Sequence, residues 1–232
     1  MRRLIQWKNT ITASYPIYMP FRWRGWWNFG TGSLGDMGCH ILDTPVWALD
    51  LLHPTSVEAV TTTPRYDASY PIAAMIRYEF PKHGSHPPMT LTWYDGGLAP
   101  FRPRMLEEAR RMGSRDGGTI FVGSKGTLMC GLFGEGARLI PESAMKNVKR
   151  PPRTLQRTAG IYNEWLNACR GGEPATSNFD VSGPLTEIVL LGNVAMRYPG
   201  QRLDYDGENM RVTNVKEANQ SSRRNYQNGW SL

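Results

Sequence analysis

The chain has 232 residues, of which 40% are hydrophobic, and a formal net charge of +7 at pH 7. This length and apolar content suffice for a buried core, so an intrinsically disordered chain is excluded. No stretch approaches the ~20 consecutive apolar residues of a transmembrane helix, and the first residues lack the apolar run of a signal peptide. We expect no membrane partner and a cytoplasmic location, or a periplasmic one if an export signal is encoded upstream.

The positive charge does not by itself indicate a nucleic-acid partner. Basic residues are spread over several segments, with local clusters at 102–115 and 146–157. No RNA- or DNA-binding signature accompanies these clusters. We therefore expect a solvated surface or a site for anionic groups, and no nucleic acid.

The cysteines and histidines do not have the spacing of a metal site. Cys39, Cys130 and Cys169 are odd in number and without C-x-x-C spacing, which predicts buried thiols rather than a disulfide frame or a zinc site. Only His83 and His86 lie close together, in a loop rich in Pro, Gly and Ser. We expect no metal cofactor.

The first elements in chain order are irregular. We predict an irregular lead-in over residues 1–22, because Pro16 and Pro20 interrupt regular structure. The next segment, Arg22 to Phe29, is rich in arginine and aromatic residues. Indole rings stack on the C–H-rich faces of sugars, and arginine binds hydroxyls or carboxylates, so the segment supplies the candidate substrate-binding residues Arg24, Trp26 and Trp27. The alternative is that the tryptophans only anchor this loop in the core.

Gly30 to Gly35 spell G-x-G-x-x-G, which in a Rossmann domain binds a dinucleotide. That site requires a buried parallel strand directly before the glycines. Residues 21–28 contain two arginines, a glycine and an asparagine instead. We do not predict a dinucleotide site here.

A helix is predicted from about Leu34 to Leu51, with a bend at Pro45. Its spacing places Asp36, His40 and Asp43 on one face. A carboxylate one turn before a histidine can orient the imidazole and raise its basicity, as general acid–base chemistry near neutral pH requires. The alternatives are structural: a capping box formed by Ser33 and Asp36, and an ordinary surface or core histidine at position 40.

The middle of the chain is predicted to be rich in β-strands joined by short connections, which implies an antiparallel sheet. Residues 76–80 alternate apolar side chains with Arg and Glu, so one face of that strand meets water or a partner. Residues 102–112 are helical in composition. The predicted strands are 56–63, 72–80, 89–94, a hairpin of 118–122 and 127–130 about the turn 123–126, and 138–140.

Two helices are predicted in the last third of the chain, after an exposed connection at 146–157. The first spans 161–170, and the second, 181–197, is the most apolar helix and so the probable core helix. Pro184 falls in its first turn, where proline is tolerated. The tail is polar with a late Trp230 that could dock back.

Several motifs together resemble one family of oxidoreductases. Gly35-Asp36-Met37-Gly38-Cys39-His40-Ile41-Leu42-Asp43 is similar to the G-D-x-G-x-H-x-x-D helix motif of the glucose-fructose oxidoreductase, inositol dehydrogenase and MocA family. Segments similar to one bacterial branch of that family are 23–32, 91–97, 121–126 and 177–180. The resemblance covers roughly residues 15–232.

The resemblance implies an α+β domain: an open, mostly antiparallel β-sheet with helices packed on one face, whose outer face makes a homo-oligomer contact. We expect this domain at residues 23–215, followed by a polar tail at 216–232. The resemblance also implies that His40 transfers a proton and that Asp36 positions the substrate hydroxyl. Asp43 and Tyr94 lie in the matching motifs and join the candidate substrate-binding residues.

The chain departs from the family at its N-terminal side. Family members begin with a Rossmann domain that binds NAD or NADP, and a Glu-Lys-Pro segment supplies their catalytic lysine; this sequence contains neither. We therefore expect the substrate-binding and acid–base half of an NAD(P)-dependent oxidoreductase acting on a hydroxyl carbon of a sugar, polyol or glycoside. Neither cofactor is expected to bind this chain alone. We expect a truncated or split form of an oxidoreductase, which a separate Rossmann-domain chain could complete. Two alternatives stay open: a cofactor-free carbohydrate-binding or lyase-type domain, and an interaction protein that uses the sheet face.

Overall fold

A computed structural model describes residues 21–64, 66–149, 151–155, 157–222 and 229, so most of the predicted lead-in and Trp230 lie outside the described residues. The helices are α1 (Gly32–Ile41), α2 (Asp43–Ala48), α3 (Ile161–Cys169) and α4 (Phe179–Ala195), with short 3-10 helices at Arg22–Gly25, Glu142–Asn147 and Lys216–Ser221. The strands are β1 (Ser56–Thr62), β2 (Ala74–Phe80), β3 (Met89–Tyr94), β4 (Thr119–Gly123), β5 (Gly126–Cys130), β6 (Arg138–Ile140), β7 (Arg202–Asp206) and β8 (Arg211–Val212).

The larger sheet has five strands in the order β3-β2-β1-β7-β8, and every neighbouring pair is antiparallel. In β2, Ile76 and Tyr78 are fully buried while Arg77 between them is exposed, because successive side chains of a strand point to opposite faces. One face of the sheet therefore packs against the core and the other is polar. This arrangement of helices and open antiparallel sheets confirms the predicted α+β class.

Helix α4 lies between α1 and the inner face of the five-stranded sheet. Leu34 of α1, Tyr78 of β2 and Ile188 of α4 are each 0% exposed. The prediction that this apolar segment forms the core helix is confirmed. The placement of Pro184 in the first turn is wrong, because the helix begins at Phe179 and Pro184 lies inside it. Its buried residues are Leu185, Ile188, Val189, Leu191, Gly192, Asn193, Val194 and Ala195.

A second, three-stranded antiparallel sheet has the order β4-β5-β6 and its own small core. The predicted hairpin is confirmed, with Ser124 and Lys125 as the two residues between β4 and β5. Residues 131–134 after β5 bring this sheet toward the first helices, since a side chain at Gly134 would meet Thr44 of α2. The second sheet therefore borders the region around α1.

The single helix predicted over 34–51 is wrong in one respect, because the structure contains two helices separated at Leu42. Pro45 has no N–H to donate to the carbonyl of Ile41, and its ring clashes with that carbonyl in a continuous helix. Helix α1 accordingly ends at Ile41. The bend expected at the proline is a break three residues before it.

The predicted helix over residues 102–112 is also wrong, since these residues form turns. The Arg102 guanidinium, rather than backbone N–H groups, donates to the carbonyl of Glu107 and, at 2.8 Å, to that of Arg110. Arg110 donates in turn to the Leu139 carbonyl, at 3.0 Å. Carbonyls held by arginine side chains are not free for the hydrogen bonds of a helix.

Three further features differ from the expectations. Cys130 is buried as predicted, but Cys39 and Cys169 are exposed. Strands β7 and β8 were not predicted, and in the expected tail Lys216–Ser221 form a helical turn whose Ala218 is fully buried. Within the described residues, none of the helices has both the length and the apolar character that crossing a bilayer requires.

Candidate functional site

A tight loop brings the arginine-rich segment onto α1. The N–H of Gly30 donates to the Trp26 carbonyl at 2.9 Å, and a side chain at Gly30 would overlap the backbone of Arg24. Glycine is therefore needed where the chain doubles back. The result is an ion pair between Arg24 Nη1 and Asp36 Oδ2, 2.8 Å apart and partly exposed.

The predicted capping box is wrong. Helix α1 begins at Gly32, after Thr31, and no side chain caps its start. Asp36 is engaged by Arg24, and the Ser33 hydroxyl is hydrogen-bonded to the Asp95 carboxyl after β3. Ser33 and Asp36 thus tie α1 to two other parts of the chain.

His40 lies in the last turn of α1 and is exposed. Among the described residues, no hydrogen bond joins it to Asp36, whose carboxylate faces Arg24. The imidazole lies edge-on to the ring of Phe133, with 5.8 Å between the two ring centroids. Phe133 lies in the connection between β5 and β6, so the imidazole is flanked by an aromatic ring rather than oriented by a carboxylate.

The remaining predicted residues, Asp43 and Tyr94, lie in different places. Asp43 is exposed at the start of α2, beyond the break that ends α1. Tyr94 follows the buried Trp93 in β3 and lies opposite Met75, so strand alternation places it on the outer face of the sheet, away from α1. The structure thus brings together Arg24 and Asp36 near His40, and does not bring Tyr94 to them.

Asp95 is a part-buried carboxyl that the sequence did not single out. It accepts hydrogen bonds from the Trp93 indole N–H at 2.9 Å and the Ala74 N–H at 2.6 Å. Burial nevertheless raises the pKa of Asp95 above its usual range, because desolvation disfavours the charged form. It holds the end of β3 against the start of α1.

Trp27 lies against two residues that are distant in sequence. Its ring centroid is 3.6 Å from that of Tyr70, and the Arg197 guanidinium carbon is 4.1 Å from its ring. Trp27, Arg197, Tyr66 and Asp67 line an open cleft of about 220 Å³. Burial raises the pKa of the Tyr70 phenol to about 12, so this ring is neutral at physiological pH.

Trp26 is held by the backbone beside this cleft. It forms an isolated β-bridge with Ser69, while the N–H of Trp27 donates to the Ala68 carbonyl at 3.0 Å. Trp26 is partly buried. The backbone bonds of Trp26 and Trp27 anchor the loop, as the structural alternative expected. Trp27 also borders a cleft, as a binding role requires.

Two kinds of chemistry find little support around α1. Partial burial, together with the nearby carboxylates of Asp36 and Asp43, raises the pKa of the Cys39 thiol, so this cysteine is not activated as a nucleophile. In the part of the chain that the structure describes, no three His, Cys, Asp or Glu side chains are grouped to hold a metal.

The residues present do not fit a nicotinamide dinucleotide. In the described stretch before the glycines, 21–31, the chain forms a short 3-10 helix and turns rather than a parallel strand. The Tyr70 ring covers Gly32, where a side chain would lie 2.7 Å from the ring carbons. The N-terminus of α1 is therefore not open to a pyrophosphate as a dinucleotide-binding turn would be.

Phe133, Tyr66, Asp67, Asp95 and Arg197 were missed as site residues. They come from the β1–β2 connection, the end of β3, the loop after β5 and the end of α4, and no local pattern marks them. No protein-family model matches the chain, and no curated protein matches it. The geometry around α1 is therefore the basis for assigning a function.

Proposed function

We propose that this chain is the substrate-binding and proton-transfer half of an NAD(P)-dependent oxidoreductase of the glucose-fructose oxidoreductase, inositol dehydrogenase and MocA type. Its substrate would carry the reacting hydroxyl on a sugar, polyol or glycoside carbon. The observation that carries the proposal is the exposed imidazole of His40 on the same short helix as the Arg24–Asp36 ion pair. That helix is the one bearing the G-D-x-G-x-H-x-x-D pattern.

His40 is suited to receive the hydroxyl proton because its ring is accessible and imidazole is the side chain most often used as a general acid or base. The Phe133 ring limits how the imidazole can turn. Asp36 is partly exposed and can still accept a hydrogen bond from a substrate hydroxyl while it is paired with Arg24. Arg24 would keep this carboxylate fixed in direction.

The electron carrier has to come from outside these residues. Oxidising a hydroxyl carbon requires an acceptor for the hydride, and the region around α1 does not fit a dinucleotide. We therefore infer that a Rossmann domain outside these 232 residues holds NAD or NADP and meets them at the exposed end of α1.

Replacing His40 tests this proposal. We would co-express the chain with a Rossmann-domain protein and follow NAD(P)H formation with a panel of sugars and cyclitols. Losing the general base lowers kcat by about 100-fold or more, so His40→Ala should fall by at least that factor. His83→Ala is the matched control, because His83 is exposed and pairs with Asp50 away from α1.

Full activity of His40→Ala would contradict the assignment. So would tight, stoichiometric binding of NADH by the 232-residue chain alone. If ring-shaped substrates were bound or converted without any nicotinamide, the second candidate, a cofactor-free carbohydrate-binding or lyase-type domain, would be correct. That candidate is favoured by the cleft beside Trp27.

We also propose that copies of the chain associate through the outer face of the larger sheet. This face carries an ion-pair network, with Arg77 lying 2.8 Å from Glu58 and 3.6 Å from Glu79. Arg202 pairs with Asp204 on the same face at 2.9 Å. Alternating charges of this kind are self-complementary and suit a symmetric contact.

A further inference from the structure

We propose that helix α3 and the basic segment before it bind the surface of a membrane that contains anionic phospholipids. This inference goes beyond the proposed function, because binding there requires neither His40 nor a nicotinamide. The expectation of no membrane partner rests on the absence of a long apolar segment and of a signal peptide. A helix that lies on the membrane surface needs neither of them.

Helix α3 is attached to the rest of the chain through a polar residue. The Glu164 carboxylate accepts hydrogen bonds from the N–H and the hydroxyl of Thr176, at 2.9 and 2.7 Å, and from the Thr158 side chain. In α3, which the structure describes completely, no residue is buried, and Glu164 and Ala168 are the two that are partly covered. The helix is thus held at Glu164 and leaves most of its surface in solvent.

The exposed surface of α3 includes a stripe of large apolar side chains. Ile161 and Trp165 lie one turn apart, as do Tyr162 and Leu166, so the four side chains share one side of the helix. In that order, 70%, 63%, 82% and 39% of each residue is exposed. The exposed Cys169 continues the stripe into the last turn. Large apolar side chains exposed together mark an interaction surface.

The segment directly before α3 is strongly basic. Residues 146–157 contain five Lys or Arg and no Asp or Glu. Val148 and Leu155 within this segment are 41% and 60% exposed. About four to eight basic residues beside an amphipathic helix are typical of segments that bind anionic lipid headgroups. The segment therefore fits the site for anionic groups that the charge pattern predicts. Its exposed basic residues, among those that the structure describes, are Lys146, Lys149, Arg153 and Arg157.

The combination of charges and apolar side chains favours a lipid surface over other partners. Tryptophan and tyrosine prefer the level of the headgroups, where the ring is in an apolar environment and its N–H or O–H meets water. Ile161, Leu166 and Leu155 gain contacts with acyl chains, whereas a nucleic acid offers them only bases and a charged backbone. A second copy of the chain is disfavoured, because pairing two stripes brings two basic segments together.

Vesicle sedimentation with the full 232-residue chain tests the proposal. The probes are vesicles of phosphatidylcholine alone and vesicles in which phosphatidylglycerol replaces about a third of it. We expect the chain to bind the anionic vesicles at least about tenfold more tightly than the neutral ones. This difference should shrink as salt is added, because salt screens exposed charges.

Two variants of the proposed surface should weaken this binding. Trp165→Ala removes the largest ring of the stripe and should lower the affinity about tenfold. Arg153→Gln combined with Arg157→Gln should lower it roughly 25-fold, which is about fivefold for each charge. Circular dichroism shows whether each variant is folded. Since the three side chains are exposed, we expect both variants to fold, and either one alone is a sufficient test.

Matched control variants lie elsewhere on the molecule. Trp47→Ala removes a tryptophan of α2 that is 59% exposed. Arg104→Gln combined with Arg111→Gln removes two exposed charges from the other basic cluster. Both controls should bind the anionic vesicles within about twofold of the parent. His40→Ala should also bind like the parent, so the outcome is independent of the proposed function.

The proposal is refuted if the folded chain binds neither kind of vesicle, or binds both equally. It is also refuted if the controls weaken binding as much as Trp165→Ala and the double arginine variant do, because the attraction would then be nonspecific. Single-stranded RNA that binds more tightly than the vesicles, through Trp165, would assign the surface to nucleic acid instead. Dimerisation without lipid that is lost in Trp165→Ala would assign it to a second copy of the chain.

Discussion

Adding a methyl group at Gly192 tests the packing that holds α1 against the sheet. A β-carbon at Gly192 would overlap the Tyr78 hydroxyl of β2 and a δ-methyl of Leu34 in α1. Both neighbours are 0% exposed, so neither can swing into solvent. The Gly192→Ala variant must therefore push α4 away from α1, from β2, or from both.

The expected loss of stability follows from two opposing terms. Overpacking a core by one methyl group costs about 1–3 kcal/mol, and two simultaneous overlaps justify the upper end, about 3 kcal/mol. Alanine is better than glycine inside a helix by about 1 kcal/mol. We therefore expect Gly192→Ala to lower the unfolding free energy by about 2 kcal/mol.

Urea denaturation followed by circular dichroism measures this change, and a double-mutant cycle identifies its cause. Tyr78→Phe removes the hydroxyl, which has no hydrogen-bond partner among the described residues, and should restore part of the stability of Gly192→Ala. If Gly192→Ala were as stable as the parent, the packing would be wrong. If Tyr78→Phe restored nothing, the hydroxyl would not be the obstacle.

Two further predictions concern charge. Because burial raises the pKa of Asp95, the unfolded chain ionises this group first as pH rises above about 4, and the parent loses stability as pH passes through the folded pKa. In urea titrations the stability of Asp95→Asn relative to the parent should therefore increase as the pH rises from about 4. Arg77→Glu would place three carboxylates together on the outer sheet face, so sedimentation should show loss of self-association.

Each of these has a matched control. Asp116→Asn changes an exposed aspartate and should show no comparable pH trend; a loss of relative stability by Asp95→Asn as pH rises would mean that its hydrogen bonds outweigh burial. Arg138→Glu reverses a charge on β6, paired with Glu142, and should leave association unchanged. Self-association that survives Arg77→Glu would place the contact elsewhere.

Local chemistry predicted much of the scaffold. The segment from Leu185 to Ala195 is mostly apolar, with Thr186, Glu187 and Asn193 as its polar residues, and this composition favours a helix that is buried along most of its surface. Residues 123–126, Gly-Ser-Lys-Gly, are of types common in turns, and the chain does turn there between β4 and β5. Pro45 predicted a disturbance of the first helix but not its position, because the bond it removes belongs to Ile41.

The sequence failed where side chains find partners far along the chain. Residues 102–112 have a helix-forming composition, but the Arg102 side chain donates hydrogen bonds to the carbonyls of Glu107 and Arg110. Composition alone does not show that a side chain will compete with the backbone for these carbonyls. Asp36 and His40 have the spacing of a carboxylate–imidazole pair. The tight loop at Gly30, however, places Arg24 beside Asp36, and the two form an ion pair. An ion pair with a permanently charged guanidinium prevails over a hydrogen bond to a neutral ring.

The sequence by itself determined that this chain has an α+β fold, where most of its helices and strands lie, and that an aspartate and a histidine share one helix. Only the tertiary structure decided which partners those side chains have. The cleft beside Trp27 joins residues from positions 27, 66, 67 and 197, and Tyr94 faces away from α1 because of its register in β3. Such contacts depend on how strands pair and helices pack, which spacing along the chain does not specify.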